Sequence, residues 1–317
     1  MLSRNACPAL VLASLISAPL FAAVDPPLTI DAVALATRGY GLEWADEFAA
    51  DAPLSGDWSI RKPGIRRQGY NSMDQVSLTY TAPNLPDNGQ YTGALQLTTN
   101  PVSTGGTVPA GYYPTAMLST HESTLFTYGY FEASIRTQTV AGHWSAFWLQ
   151  SQANSNNTGL ATPDPANLGT EIDIMEHTIV GTTKQTQHAL HWNGYDSALH
   201  KQRIMGASNA PDLDAFNTYG LLWTPEYYAF YINGSLSAST TTAISNVPEY
   251  IILSLEVADS GSRSFGGNPA SSIFPDSMYV DYVRVYQTER QVSAPVPEPA
   301  TLMVAGISAM LALRRRR

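Results

Sequence analysis

Apolar and polar residues alternate at every second position in one short segment after another between Leu42 and Tyr286. Tyr128–Arg136, Trp144–Gln150, Glu171–Glu176, Thr218–Trp223, Tyr227–Ile232 and Tyr279–Tyr286 carry this period or are dense in β-branched and aromatic residues. Successive side chains of a strand point to opposite faces, so such a pattern buries one face of a sheet and cannot bury one side of a helix. No window of helical period and no internal repeat stands out, and Asn233-Gly234 after Tyr231-Ile232 is the sequence of a two-residue hairpin turn. Charged residues are only 14% of the chain, against 23 glycines and 21 prolines, which suits short strands joined by many turns. An all-β architecture is therefore expected, with two antiparallel sheets packed as a sandwich. With 317 residues, 44% of them hydrophobic, one large domain suffices.

The two ends read differently from the body. Arg4, an apolar run from Ala6 to Phe21 and the small residues Ala22 and Ala23 have the order of a secretory signal peptide, so residues 1–23 are expected to be removed. The body is expected over residues 24–290, with 24–39 as a lead-in, followed by a linker over 291–299 that contains Val296-Pro-Glu-Pro299. Residues 300–313 are apolar or small and precede Arg314 to Arg317; the stretch is too short to span a bilayer straight and alone. This order resembles the PEP-CTERM sorting signal of Gram-negative bacteria. The resemblance implies a secreted or envelope-associated protein, processed near Pro-Glu-Pro by an exosortase-type enzyme and touching a membrane only through its tail.

Without residues 1–23 and 300–317 the chain loses five arginines and no acid, leaving 12 basic against 26 acidic residues, a net charge of −14. A body this acidic excludes nucleic-acid binding through phosphate contacts, and it repels polyanionic glycans unless it is locally basic, as at Arg61, Lys62, Arg66 and Arg67. The one cysteine, Cys7, lies in the signal segment, so no disulfide stabilises the mature chain.

The segment Glu171-Ile-Asp-Ile-Met-Glu176 concentrates the chemistry. Glu171 and Asp173 share a strand face, and Glu176, five positions from Glu171, points away unless one extra residue near Met175 forms a β-bulge. With that bulge, three carboxylates stand in a row. Retaining glycoside hydrolysis needs two of them, about 5–5.5 Å apart, one as nucleophile and one as acid/base. A third between them hydrogen-bonds the nucleophile and helps keep the acid protonated. Taken alone, the same residues also describe a solvated strand face or a calcium site.

Trp144 and Trp148 fall on one strand face with only Ala146 between them, a platform on which sugar rings can stack; Phe147 and Leu149 face the core. Taken in order, Tyr-Gly-Tyr-Phe-Glu-Ala (128–133), Gly-His-Trp-Ser-Ala-Phe-Trp (142–148), Glu-Ile-Asp-Ile-Met-Glu (171–176), His-Trp (191–192), Tyr-Gly-Leu-Leu-Trp-Thr-Pro (219–225) and Val-Asp-Tyr-Val-Arg-Val-Tyr (280–286) resemble the landmarks of glycoside hydrolase family 16. The resemblance runs from about Leu42 to Tyr286. It implies a concanavalin A-like jelly-roll sandwich with a concave cleft, Glu171 as nucleophile, Asp173 as its support and Glu176 as acid/base. The bulged spacing is similar to that of the family's laminarinases, agarases and carrageenases, and Ile-Met before the acid is most similar to β-1,3-glucanases. No cofactor is required for such chemistry, and the partner is a polysaccharide acted on by a monomer.

The resemblance further implies that Asn71 contacts sugar, that His191 lies in the cleft near the acid/base, and that Glu47 and Asp281 stand near a structural calcium. His188, three residues from His191, faces the other way and is a poor joint metal ligand. Ser134, Asn217 and Glu256 depart from the family's usual residues, and Glu256 should line the concave face. Two other classes stay open: a lectin-like sandwich, which need not keep the three acids in register, and a structural matrix protein. Among enzymes, the alternative is a galactan hydrolase of the agarase or carrageenase kind.

Overall fold

A computed structural model of the chain describes residues 25–86, 93–195, 198–207, 211–257 and 267–292. The expected signal peptide, Cys7, Pro-Glu-Pro and arginine cluster lie outside the described residues.

Among the described residues seventeen strands follow one another. β1 spans Tyr40–Asp46, β2 Ser59–Ile60, β3 Gly64–Arg66, β4 Gly69–Asn71, β5 Val76–Thr79 and β6 Ala94–Thr99. Then come β7 Tyr113–Ser119, β8 Gly129–Arg136, β9 His143–Gln150, β10 Glu171–Val180, β11 Thr183–Trp192 and β12 Lys201–Gly206. The last are β13 Asn217–Trp223, β14 Tyr228–Ile232, β15 Ser235–Thr240, β16 Tyr250–Val257 and β17 Asp276–Thr288. One sheet has the order β15-β14-β13-β8-β17-β6-β5, with β1 paired to β17; the other has β12-β11-β10-β9-β16-β7-β4-β3, with β2 paired to β7. Every pairing is antiparallel except β4 with β7. Strands adjacent in space are often distant in sequence, as β9 beside β16 and β8 beside β17, which makes this a wound sandwich and not a meander.

The inward faces are the apolar ones read from the alternation. Phe147 and Leu149 of β9, Ile172 of β10 and Leu253 of β16 meet Phe131, Trp223, Phe230 and Val283 of the opposite sheet, all buried. Each such side chain contributes about 1.5–3 kcal/mol by leaving water. Asn233 and Gly234 take φ of +49° and +72°, the left-handed pair of a type I′ turn, and close the β14–β15 hairpin as expected.

The lead-in departs from expectation, because it carries a short helix and docks on the outer face of a sheet. Helix α1, Ala32–Thr37, is capped by the Asp31 carboxylate, which accepts from Ala34 N at 2.7 Å. Ile30 and Leu35 are buried against Tyr130, Leu222, Ala229 and Tyr231.

Candidate active site

Strand β10 crosses the middle of its sheet between β9 and β11 and carries the bulge inferred from spacing. Against β11, Asp173 pairs with Ala189 and Glu176 with Gln187, three residues on one side against two on the other. Against β9 the slip falls between Asp173, opposite Trp148, and Met175, opposite Phe147. Ile174 and Met175 both enter the core, and the next residue, Glu176, therefore returns to the face of Glu171 and Asp173. His188 on β11 holds this irregularity: its Nδ1 lies 2.6 Å from Ile174 O, so it donates there, and Nε2 lies 2.9 Å from Ser237 Oγ in the opposite sheet.

The three carboxylates line a cavity of about 350 Å³ together with Lys62, Arg66, Arg67, Trp144, Ala146, Trp148, Gln150, His191, Tyr195, His200, Ser254 and Glu256. Its floor is a lattice of cross-strand neighbours. Gln187, Glu176, Ala146 and Ser254 form one row; Asp173, Trp148 and Ile252 form the next; Trp144 lies opposite Glu256 on β16. Ala146, the smallest side chain of the floor, stands beside Glu176 and leaves space above it for a ring. Trp148 is buried in the floor and donates from Nε1 to Ser254 Oγ at 3.2 Å, whereas Trp144 is half-exposed.

The two glutamates have different partners. Glu171 Oε2 accepts from Gln150 Nε2 at 2.8 Å and from the Tyr195 hydroxyl. Gln150 Oε1 in turn accepts from Arg61 Nη2 at 2.9 Å and from Tyr250 OH at 2.9 Å. A guanidinium has no acceptor, so Arg61 forbids the reverse orientation of the Gln150 amide and keeps its NH₂ on Glu171. Glu176 Oε2 accepts from Gln187 Nε2 at 2.8 Å.

Burial raises all three carboxyl groups. For Asp173, pushed well above the carboxylate range, the charges of Glu176 and then Glu171 add to desolvation. Glu176 is pushed up to about 7 by desolvation and by Glu171, against the opposing Gln187 hydrogen bond. Glu171 rises through burial but is held back by Tyr195, Arg66, Lys62 and His200. Like charges confined together cannot all ionise, so protons stay on Asp173 and Glu176 while Glu171 is the member best equipped to carry charge. A carboxylate beside a protonated carboxyl is the pair that double displacement at a sugar carbon requires.

Comparison with known proteins agrees with this geometry. Residues 72–267 match the family described as glycosyl hydrolases family 16. The chain belongs to that family. Residues 295–317 match the PEP-CTERM protein-sorting motif. A keratan-sulfate endo-1,4-β-galactosidase of Sphingobacterium multivorum is 26% identical over 81% of this chain and 58% of its own length. A β-glucanase of Rhodothermus marinus is 30% identical over 55% of this chain and 63% of its own. The chain thus spans less than two thirds of the length of either of these relatives. Among solved structures, an endo-β-1,3-glucanase from Pyrococcus furiosus superposes with a TM-score of 0.59 at 25% identity, over 83% of this chain and 98% of that one. A family 16 endo-β-1,3(4)-glucanase of 23% identity superposes with a TM-score of 0.61, over 79% and 92%, and shares the fold.

In this family 16 chain some expected residues are placed elsewhere. His191 lies opposite Glu171 in the ladder, with Nε2 3.5 Å from Asp173 Oδ2, so it stands at the Glu171 end of the row while Gln187 stands opposite Glu176. Burial lowers its imidazole to about 4, leaving it neutral, and Nδ1 meets His200 Nε2 at 3.1 Å. Asn71 does not reach the cleft: it is 2% exposed, its amide is directed at the carbonyls of Arg61 and Lys62, and its oxygen accepts from Thr115 Oγ1 at 2.8 Å. The residue braces the loop that carries the cations instead of touching sugar. Arg61 likewise leaves the basic strip and is buried behind Glu171, which it reaches through Gln150.

The calcium expectation meets an ion pair. Both Glu47 oxygens are engaged by the Arg284 guanidinium, at 2.7 and 2.8 Å, so the carboxylate would have to leave Arg284 to bind a cation. Asp281 is pushed up to about 6 by burial and by the charge of Glu47. These side chains do not fit a calcium site as they stand. Among the described residues the group of three or more metal-capable side chains is Glu171, Asp173 and His191, whose ligand atoms lie within 4.8 Å of one another.

Residues of the site that the sequence did not single out are Gln150, Tyr195, Gln187 and His200. Gln187 was within reach: Val180 pairs with Thr183 across a two-residue turn, and counting back along that register puts Gln187 opposite Glu176. Gln150 too was within reach, two residues beyond Trp148 on the same strand face, whereas Tyr195 and His200 come from a segment with no local signal.

Proposed function

We propose that this protein is an exported, retaining endo-β-glycosidase that cleaves β-linked polysaccharide, first of all β-1,3-glucan, by double displacement. One observation carries the reading: a single bulged residue brings Glu171, Asp173 and Glu176 onto one face of β10, inside one cleft. Glu171 attacks the anomeric carbon while Glu176 gives its proton to the departing glycosidic oxygen, which breaks the C–O bond and leaves a glycosyl ester on Glu171. Glu176, now ionised, takes a proton from water; the hydroxide displaces Glu171 from the same carbon and restores the configuration. The steps call for no cofactor. Asp173 holds a proton between the two glutamates, whose charges add to burial in keeping it there.

The glucan preference is supported by the R. marinus and P. furiosus relatives, and the galactan alternative by the S. multivorum enzyme. A working monomer is part of the proposal. So is delivery to the cell envelope or beyond it in a Gram-negative bacterium, with an exosortase-type enzyme acting on the tail, as the motif at 295–317 supports. The test is release of reducing ends from laminarin, lichenan, agarose and carrageenan, with proton NMR of the first-formed anomer. Initial accumulation of the β-anomer from laminarin is expected. Initial α-anomer excludes retention, and no release from any polymer excludes the enzyme in favour of a binding module.

A further inference from the structure

Behind Glu171 runs a chain of hydrogen bonds whose direction is set at its far end. Arg61 is buried, with Nη2 2.9 Å from Gln150 Oε1 and 2.8 Å from both Ser155 Oγ and Tyr250 OH. A guanidinium only donates, so the Tyr250 oxygen receives from Arg61 and its own proton must go onward, to Gln150 Oε1 at 2.9 Å. With Arg61 and Tyr250 on its oxygen, the Gln150 amide has one orientation and its two N–H bonds point the other way. One donates to Glu171 Oε2 at 2.8 Å and the other to the Tyr195 hydroxyl. Tyr195, having received that bond, gives its proton to the same Oε2.

Both donors therefore converge on one oxygen of Glu171. Among the described residues no hydrogen bond reaches the other oxygen, Oε1, and Glu171 is the least buried of the three carboxylates that line the cleft. The fold assembles this chain, since Tyr250 and Gln150 are cross-strand partners on β16 and β9, while Arg61 and Tyr195 arrive from loops after β2 and β11. Removing its first member leaves the directions of all the later bonds undetermined.

We propose that Arg61 is a positioning residue for the nucleophile: by sending every proton of this chain one way, it gathers both donors on Glu171 Oε2 and leaves Oε1 to attack. The inference rests on the reading of Glu171 as nucleophile and deepens it. In the first step an electron pair of Oε1 forms the bond to the anomeric carbon, and the glycosidic oxygen departs with the broken bond's pair and the proton of Glu176. Oε2 becomes the carbonyl oxygen of the ester with its two donors in place. Hydrolysis returns the pair to Oε1, and the same donors stabilise the carboxylate that reforms.

The experiment compares Arg61→Met with Arg61→Lys, which keeps a donor that cannot accept. In Arg61→Met the Tyr250 hydroxyl and the Gln150 amide can turn, Oε2 loses donors, and Glu171 ionises less readily. The titratable groups that face Glu171 are the same in both variants. They are Asp173 and Glu176 on β10, His191 on β11, Tyr195 and His200 after it, Lys62 and Arg66 around β3, and Glu249 before β16. The acid limb of kcat/KM against pH should move up by about one unit in Arg61→Met and by less than about 0.3 unit in Arg61→Lys. A role in packing alone lowers Tm and leaves the limb in place; that result, or an equal shift in both variants, overturns the proposal. Carbon-13 NMR of glutamate labelled at the side-chain carboxyl, with Glu171→Gln to identify the signal, follows the same ionisation without turnover. If no polymer is cleaved, the enzyme reading fails separately, and this signal decides the chain: a higher titration in Arg61→Met upholds it, and an unmoved one refutes it. Should Arg61→Met not fold, Tyr195→Phe removes the last donor from an exposed residue and should raise the limb or the signal, with no shift counting against the chain. A crystal structure of the ester trapped with a 2-deoxy-2-fluoro glycoside should show the new bond at Oε1, and a bond at Oε2 would refute the assignment of the attacking oxygen.

Discussion

Glu171 and Glu176 share a face of β10, but one is fed by Gln150 and Tyr195 and the other by Gln187, and the two should fail differently when removed. With Glu171 as the proposed nucleophile, turnover of Glu171→Ala should collapse on every substrate, and azide entering the vacated space should give a glycosyl azide of inverted configuration. With Glu176 as the proposed proton donor, Glu176→Ala should still form the ester from an aryl glycoside with a good leaving group, and azide should release it with retention. Proton NMR of the two azides separates the roles, and the opposite stereochemistry would reverse them. The same burial that raises Glu176 has a consequence for stability. Its folded value of about 7 lies above the ordinary 4.5, so its favourable contribution is fully present below about 4.5 and is lost as pH rises through 7. Glu176→Gln, which keeps an oxygen for Gln187, should therefore leave Tm near that of the unsubstituted protein at pH 4 and raise stability at pH 8 by about 1–3 kcal/mol. Equal Tm differences at the two pH values would show that the carboxyl is not strained by burial.

At the scale of elements, the bulge in β10 is the device on which the site depends, and His188 is its clamp. His188 is buried, stacked on Phe230, and spans the two sheets from Ile174 O to Ser237. Burial lowers it to about 4, so it works as a neutral hydrogen-bonding group. His188→Leu leaves the Ile174 carbonyl without its donor and should cost about 2–4 kcal/mol. It should also lower kcat/KM measured on the fraction that remains folded, because relaxation of the bulge turns Glu176 away. Full activity in the folded fraction would show that flanking strands hold the bulge unaided. A second clamp joins β1 to β17, where Arg284 grips Glu47 and lies 3.8 Å from the ring centre of Tyr282. With both Glu47 oxygens committed there, EDTA should leave Tm unchanged and added calcium should not raise it. A rise of several degrees on adding calcium would show that the ion displaces the guanidinium.

For the whole molecule, the boundaries of the folding unit follow from contacts. At the start, Ile30 N donates to Gly234 O and Leu236 N to Leu28 O, both at 2.8 Å, and Ile30 and Leu35 are buried. At the end, Thr288 N donates to Gln291 Oε1 at 2.8 Å beyond the last strand. A chain of residues 25–292 should match the full chain in Tm and activity, whereas one starting at residue 40 should lose about 3–6 kcal/mol with the burial of two large apolar side chains. Calorimetric melting of both checks this, and a folded, equally stable shorter chain would make the lead-in dispensable. The sequence by itself determined the sandwich, the turn at Asn233-Gly234 and the shared face of Glu171 and Asp173, because the two-residue period of a strand is a local rule; for Glu176 it named the bulge as the condition, and the packed sheet supplied it. It also determined the platform strand, since Trp144 and Trp148 differ by an even number of residues. Only the tertiary structure decided that Arg61 lies behind Glu171 through Gln150, that Tyr195 closes on Glu171, that Asn71 turns inward and that Arg284 takes Glu47. These contacts join different segments, from 10 residues apart for Asn71 and Arg61 to 237 for Arg284 and Glu47, and such pairings are set by how two wound sheets pack, which no periodicity along the chain encodes.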